Sequence, residues 1–203
     1  VDTFEKLSEL FNRFPGIGPR QSRRFVYFLL GQSPQYAAEL SRLIAELPRS
    51  VASCRSCFRY FPASAHSDLC GICGSSRRDT SLLMVVERDA DLESMEKSRA
   101  YQGRYFVLGA SIPILEKNPE ETVRLRQLKQ RIEQEGTTLS EVILAMSLTT
   151  EGEHTMEHIA ACLRPMAEEF DFKISTLGRG LSTGTELEYS DATTIANAFK
   201  TRT

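Results

Sequence analysis

Four of the chain's five cysteines fall within one short stretch, "CRSCFRYFPASAHSDLCGIC", residues 54–73. Two residues separate Cys54 from Cys57 and Cys70 from Cys73, and twelve lie between the pairs. Disulfides, redox chemistry and metal binding compete for such a set. Disulfides need an oxidising compartment, and the chain shows no basic-then-apolar opening of the kind a secretion signal has. A redox dithiol uses one C-x2-C, rarely two at this spacing. Two knuckles so placed close a tetrahedron of thiolates around Zn2+, and Gly71 and Gly74 ease the second turn. The expectation is one structural zinc per chain, held by Cys54, Cys57, Cys70 and Cys73, in a reducing cytoplasm. Four thiolates leave no open coordination position, so the ion would staple a hairpin rather than catalyse. His66 reads as a surface histidine, and Cys162, in "IAACL", as a buried helical cysteine.

The rest of the chain must supply the function. Its 203 residues suit one sizeable domain or two small ones. With 41% hydrophobic and 26% charged residues the composition excludes disorder. The longest apolar run, "LLMVV", falls far short of the ~18 residues of a membrane span. Net charge is -2, but residues 1–80 hold eleven Lys/Arg against seven Asp/Glu, a balance of +4, and the remainder fourteen against twenty, a balance of -6. An anionic ligand would meet the N-terminal part first.

Apolar residues at Phe4, Leu7, Leu10, Phe11 and Phe14 have helical spacing, with Asp2 and Glu5 as a capping-box-like start. A second helix runs to Gly31 and buries Phe25, Phe28 and Leu29. A third starts at Ser33-Pro34, carries Tyr36, Leu40, Leu43, Ile44 and Leu47 on one face, and ends at Pro48. After residue 80 the rhythm becomes strand, helix, strand: "SLLMVVE", "DADLESMEKSR", "RYFVLG", one charged helix "EETVRLRQLKQRIEQEG", "SEVILAMS", a helix through "EHTMEHIAACL" with a break or new start at Pro165, then "FKISTL". That alternation predicts a mostly parallel sheet covered on both faces. "GRGLSTGTELEYSD" reads as a glycine-rich loop or hairpin before a last helix, "ATTIANAFKT". The fold class is therefore α+β and multi-module: a helical N-terminus, a four-cysteine finger, an α/β domain, and a C-terminal hairpin and helix.

Between the first two helices stands "FPGIGPRQSRR". Gly16 and Gly18 let backbone N–H groups approach a phosphate. Pro19 suits a first helical turn, whose dipole favours an anion. Arg20, Arg23 and Arg24 add charge. This is the pattern of a helix-hairpin-helix, which grips the DNA backbone without reading bases; solvated arginines beside a tight turn are the alternative.

Glu87 closes "LLMVVE", and Glu151 and Glu153 stand between a strand and a helix. Carboxylates at the C-terminal ends of parallel strands commonly serve metal-assisted phosphoryl transfer. Such a site would also carry Asp-x-Asp just before Glu-Gly-Glu, where this chain has Ser147 and Thr149. Those are poor Mg2+ ligands, so catalysis is not expected. The remaining roles for the glutamates are partner contact, a residual metal site or charge at a helix N-terminus.

Taken in order, "FPGIGPRQSRR", the four-cysteine module running into "SSRRD", "VVE", "RYFVLG", "EVILA", "TEGEHT" and "GRGL…ELEY" resemble the bacterial RecR family of recombination mediators over nearly the whole chain. The resemblance implies a helix-hairpin-helix in 1–50, a zinc finger in 51–79, a Toprim domain in 80–178 and an assembly segment in 179–203. It implies a non-enzymatic, tetrameric, ring-like clamp on DNA in the nucleoid. With RecO, and often RecF, such a clamp helps load RecA onto single strands coated by single-strand-binding protein. By position, Arg20 and Arg24 match the family's DNA-facing basic residues, the four cysteines its zinc ligands, and Glu151 and Glu153 its acidic pair. The loop "GASIPILEKNPEE" departs from the family's glycine-containing pattern at Leu115, Glu116, Lys117 and Asn118. The alternative function is a Mg2+-dependent Toprim nuclease or strand-transfer enzyme using Glu87, Glu151 and Glu153; a zinc-stabilised protein scaffold is a third.

Overall fold

The computed structural model describes residues 2–63, 67–116, 118–178, 180–181, 184, 186–190 and 192–200. His66 and Lys117 lie outside the described residues, as does part of the glycine-rich segment after residue 178. The chain divides into two compact units, 1–51 and 52–203.

The first unit is helical: α1 (Thr3–Asn12), α2 (Pro19–Leu30) and α3 (Pro34–Ser50). The Asp2 carboxylate accepts from the Glu5 amide at 2.8 Å and so caps α1. Phe4 packs on Tyr27 and Phe11 on Phe25, joining α1 to α2. Two expectations fail here. Pro48 does not end α3, because only two residues follow it and the missing N–H costs a single bond in the last turn. Nor is the apolar stripe buried within this chain: Phe28, Leu43, Ile44 and Leu47 are each at least half exposed. Periodicity specifies that a face is apolar, not what covers it.

Two short strands, β1 (Val51–Ser53), which starts on the last residue of the first unit, and β2 (Tyr60–Pro62), pair with each other at the start of the second unit. The α/β body follows: β3 (Asp79–Val86), α4 (Asp89–Ser98), β4 (Gly103–Val107), α5 (Pro119–Thr122), α6 (Leu125–Glu135), β5 (Glu141–Ala145), α7 (Thr150–Phe170) and β6 (Lys173–Thr176). The four strands form one sheet in the order β4-β3-β5-β6, every pair parallel. β3 lies inside it, buried on both faces, which is why its sequence is a continuous apolar run. Leu83, Val85, Phe106, Val142 and Leu144 pack on one face with α6 and α7. Met84, Val86, Tyr105 and Val107 pack on the other with Leu92 of α4 and the four cysteines. The cysteine module thus shares the core of the sheet. The chain closes with α8 (Ala192–Lys200). Among the described residues, no helix is long and apolar enough to cross a membrane.

Two helices differ from expectation. The charged helix is broken at Val123 and Arg124, with Val123 extended. Val123 and Leu125 are both buried, and a continuous helix would turn residues two apart to nearly opposite sides. The break also lets the Arg124 amide bond Leu108 C=O at 3.1 Å and its guanidinium bond Val107 C=O at 3.0 Å. Pro165 neither breaks nor starts a helix; α7 runs through it, with Arg164 and Pro165 turned to solvent. Cys162 is half-buried rather than buried, its Sγ 3.7 Å from His158 Nε2.

Candidate metal centre, hairpin and acidic cleft

The sulfurs of Cys54, Cys57, Cys70 and Cys73 all lie within 4.8 Å of one another, and all four residues are buried. All are free thiols, and Cys57 Sγ stands 3.6 Å from Cys70 Sγ. A disulfide would need about 2.05 Å. A tetrahedron with Zn–S of about 2.3 Å sets its sulfurs about 3.8 Å apart, so the present spacing fits that ion. Local backbone shapes the site: the Phe58 amide donates to Cys54 C=O at 2.9 Å and the Gly74 amide to Cys70 C=O at 2.9 Å, closing each knuckle. Phe58 holds a left-handed backbone, φ 62°. The Cys70 amide donates to Cys54 Sγ at 3.4 Å, tying one knuckle to the other.

The four sulfurs share protons unequally. Bonds from Cys57, Cys70 and Cys73 hold Cys54 well below the usual thiol range, whereas bonds to its neighbours and burial push Cys57 and Cys73 up. The bond with Cys54 raises Cys70, but those with Cys57 and Cys73 outweigh it and hold Cys70 down to about 6. A thiophilic ion binds thiolates, so it must displace the remaining protons to take all four sulfurs. Metal affinity should therefore fall as pH falls; equilibrium dialysis of zinc between pH 8 and pH 5 should show progressive loss.

In the hairpin, Gly16 has φ +74°, and a side chain at Gly16 or Gly18 would meet nothing within 4 Å. Only a residue tolerant of positive φ suits the first position, and the approach to both is open. Gly18 caps α2 with no side-chain bond and Pro19 follows. Arg20, Arg23 and Arg24 are exposed. They are not equivalent: Arg23 pairs with Glu5 at 2.9 Å, whereas Arg24 donates to the neutral side-chain amide of Gln21 at 3.3 Å and forms no ion pair among the described residues.

Glu87 is almost fully buried, and its carboxylate accepts from Ser147 N–H at 3.2 Å and Ser147 Oγ–H at 3.0 Å. It lines a cleft of about 480 Å³ with Arg88, Ser111, Ile114, Ser147 and Glu151. Glu153, on the first turn of α7, is not among the lining residues. The divergent loop therefore reaches this cleft through Ser111 and Ile114. Among the described residues, the cysteines form the one group of three or more His, Cys, Asp or Glu side chains close enough to hold a metal.

Reasoning from sequence missed Arg131. It is 6% exposed, and its guanidinium bonds the carbonyls of Ser56 and Tyr105. The available signal was its position on the apolar face of α6, three residues after Leu128 and next to Ile132.

Comparison with known proteins shows the family. The Toprim domain model matches residues 81–177, and the model described as RecR, C-terminal, matches residues 180–203. Recombination protein RecR of Cereibacter sphaeroides is 38% identical over 198 residues, covering 98% of this chain and 94% of that protein. The proteins of the same name from Pelotomaculum thermopropionicum and Paracoccus denitrificans are 36% and 38% identical, over 97% and 99% of this chain and 94% and 96% of their own lengths.

Proposed function

Because the chain belongs to the RecR family of recombination proteins, we propose that it is a non-catalytic, DNA-binding recombination mediator that grips the phosphate backbone through its N-terminal hairpin. The observation carrying this reading is the start of α2: two glycines with open space before them, no side-chain cap, and the exposed cations Arg20 and Arg24. Backbone donors, a helix dipole and free positive charge then converge on one anion. Arg23 contributes less, being engaged by Glu5.

On this reading 1–50 is a helix-hairpin-helix, 51–79 a zinc finger, 80–178 a Toprim domain and 179–203 an assembly segment. The metal is zinc. The Toprim cleft does no chemistry: the Glu87 carboxylate is engaged by Ser147, and Ser147 and Thr149 offer no second pair of carboxylates. Glu87, Glu151 and Glu153 instead mark a contact for RecO, and for RecF, in loading RecA onto single-stranded DNA in the nucleoid. A ring-like tetramer is supported by an apolar groove of about 610 Å³ in the first unit, lined by Leu7, Leu10, Phe14, Leu30, Leu40 and Ile44. A second copy covers it, which accounts for the exposed stripe of α3.

Fluorescence anisotropy with labelled duplex and single-stranded DNA at several salt concentrations tests the hairpin. Arg20→Ala with Arg24→Ala should weaken binding about tenfold or more on every sequence, and flatten the logarithmic salt dependence by about 2. Unchanged affinity and slope would remove the hairpin from the DNA interface. The same samples incubated with Mg2+ or Mn2+ should leave the DNA intact; cleavage abolished by Glu87→Gln would instead make the protein a nuclease.

A further inference from the structure

β4 is an edge strand, and an open edge leaves backbone groups without partners. Here the cysteine module covers it. The Val107 amide donates to Cys57 C=O at 2.8 Å. Arg131 Nη1 donates to Tyr105 C=O on β4 at 2.6 Å and to Ser56 C=O at 3.1 Å. Ser56 and Cys57 belong to the first knuckle. The next residue, Phe58, packs its ring on Phe106 of β4 at 5.4 Å. The second knuckle differs: Cys70 bonds Cys54 Sγ, Gly74 bonds Cys70 C=O, and Arg55 bonds Asp68 C=O, all inside the module. Its hold on the sheet is apolar packing, through Ile72.

We propose that Arg131 is a positioning residue of the metal centre, clamping the first knuckle to β4 so that the sheet itself sets Cys54 and Cys57 for the ion. It acts through the Ser56 carbonyl rather than through a sulfur. One nitrogen, Nη1, bridges the two carbonyls while Nε, fixed in the same plane, bonds Glu135, a pairing that the single ammonium of a lysine cannot reproduce. Glu135 holds the other side of the guanidinium, accepting from Nε at 3.3 Å. Charge acts in the same direction. Four thiolates and a divalent cation leave two net negative charges. The cleft beside Cys73 presents Arg55, Arg104 and Arg131 against the single carboxylate of Glu135. Outer contacts of this kind orient the ligands that hold a metal, and losing one typically costs about 10–100-fold in affinity.

The proposal rests on the zinc reading, so metal content of the unaltered protein comes first: absence of zinc would overturn both. With zinc present, its release to a chromogenic chelator is timed well below the melting temperature for three proteins: unaltered, Arg131→Met and Leu163→Ala. Leu163 lies in the core of α7, fully buried and on the face of the sheet opposite the cysteines, so its truncation reports general destabilisation. Arg131→Met should release zinc about tenfold faster or more, and Leu163→Ala within about twofold of the unaltered rate, since the hydrogen bonds of the clamp run between Arg131, Ser56, Tyr105 and Glu135. An unaltered rate in Arg131→Met, or equal acceleration in both, would overturn the proposal. Should Arg131→Met fail to fold, amide exchange on the unaltered protein decides. Stripping zinc should expose the Val107 amide, bonded to Cys57, at least tenfold more than the Leu108 amide, bonded to Val86 inside the sheet. Equal protection of the two amides after stripping would overturn it as well.

Discussion

Replacing Cys57 with serine is expected to remove stoichiometric zinc and to lower the melting temperature of the 52–203 unit by about 6–20 °C. The size of the effect follows from what holds the module together. Its two strands are three residues each, too short to be stable as a hairpin without a covalent or metal staple. Cys57 is 1% exposed and adjoins Cys70, so a serine there leaves three thiolates and a weakly binding hydroxyl in a dry site. Losing the ion would cost only part of the ~10–16 kcal/mol found for isolated zinc peptides, because Ile72 and Phe61 still pack on the sheet. A loss of about 3–5 kcal/mol, at about 2–4 °C per kcal/mol for a unit of this size, gives the predicted shift. Plasma emission spectrometry and scanning calorimetry read it. An equimolar zinc content in Cys57→Ser with melting within a few degrees would mean that the four sulfurs do not act as one site.

Gly152→Ala is expected to destabilise the same unit by about 3 kcal/mol or more, an exceptional cost for one methyl group. The backbone conformation is not the cause, for Gly152 sits in the first turn of α7 without positive φ. Space is. A methyl group there would fall 2.1 Å from Ser147 C=O and 2.9 Å from Glu87 Oε1. The nearer atom is backbone and has no rotamer by which to yield, so the loop 147–149 must move. That movement would pull Ser147 from Glu87 and leave a buried carboxylate without its two donors. Chemical denaturation compared with Glu87→Gln separates the two costs. The glutamine keeps the volume and one acceptor, and should lose less. A Gly152→Ala protein of unaltered stability would show that the cleft wall is pliant, and the close helix–loop approach unimportant.

Much of the architecture could be read from local pattern. Strands β3 and β5 announce themselves because a buried parallel strand needs an apolar run, and "LLMVV" and "VILA" supply one. The hairpin could be read because positive φ at Gly16 and a proline in the first turn of α2 are local requirements with few residue solutions. Where reading failed, a distant contact had overruled a local preference. α5 and α6 would be one helix by composition, yet Val123 and Leu125 both seek the core. Pro165 is tolerated because α7 gains more from packing Ile159 and Leu163 than it loses in one bond.

The sequence by itself determined the four-cysteine cluster, the parallel α/β rhythm and the basic glycine hairpin. Each depends on residues within about one turn, one strand or one loop of each other. Tertiary structure alone decided which groups serve those features. Arg131 reaches Ser56 across 75 positions of chain, and Ser147 reaches Glu87 across 60. No periodicity carries information over such separations. Those pairings exist only because parallel strands joined by helices bring remote ends of the chain to one edge and one end of the sheet.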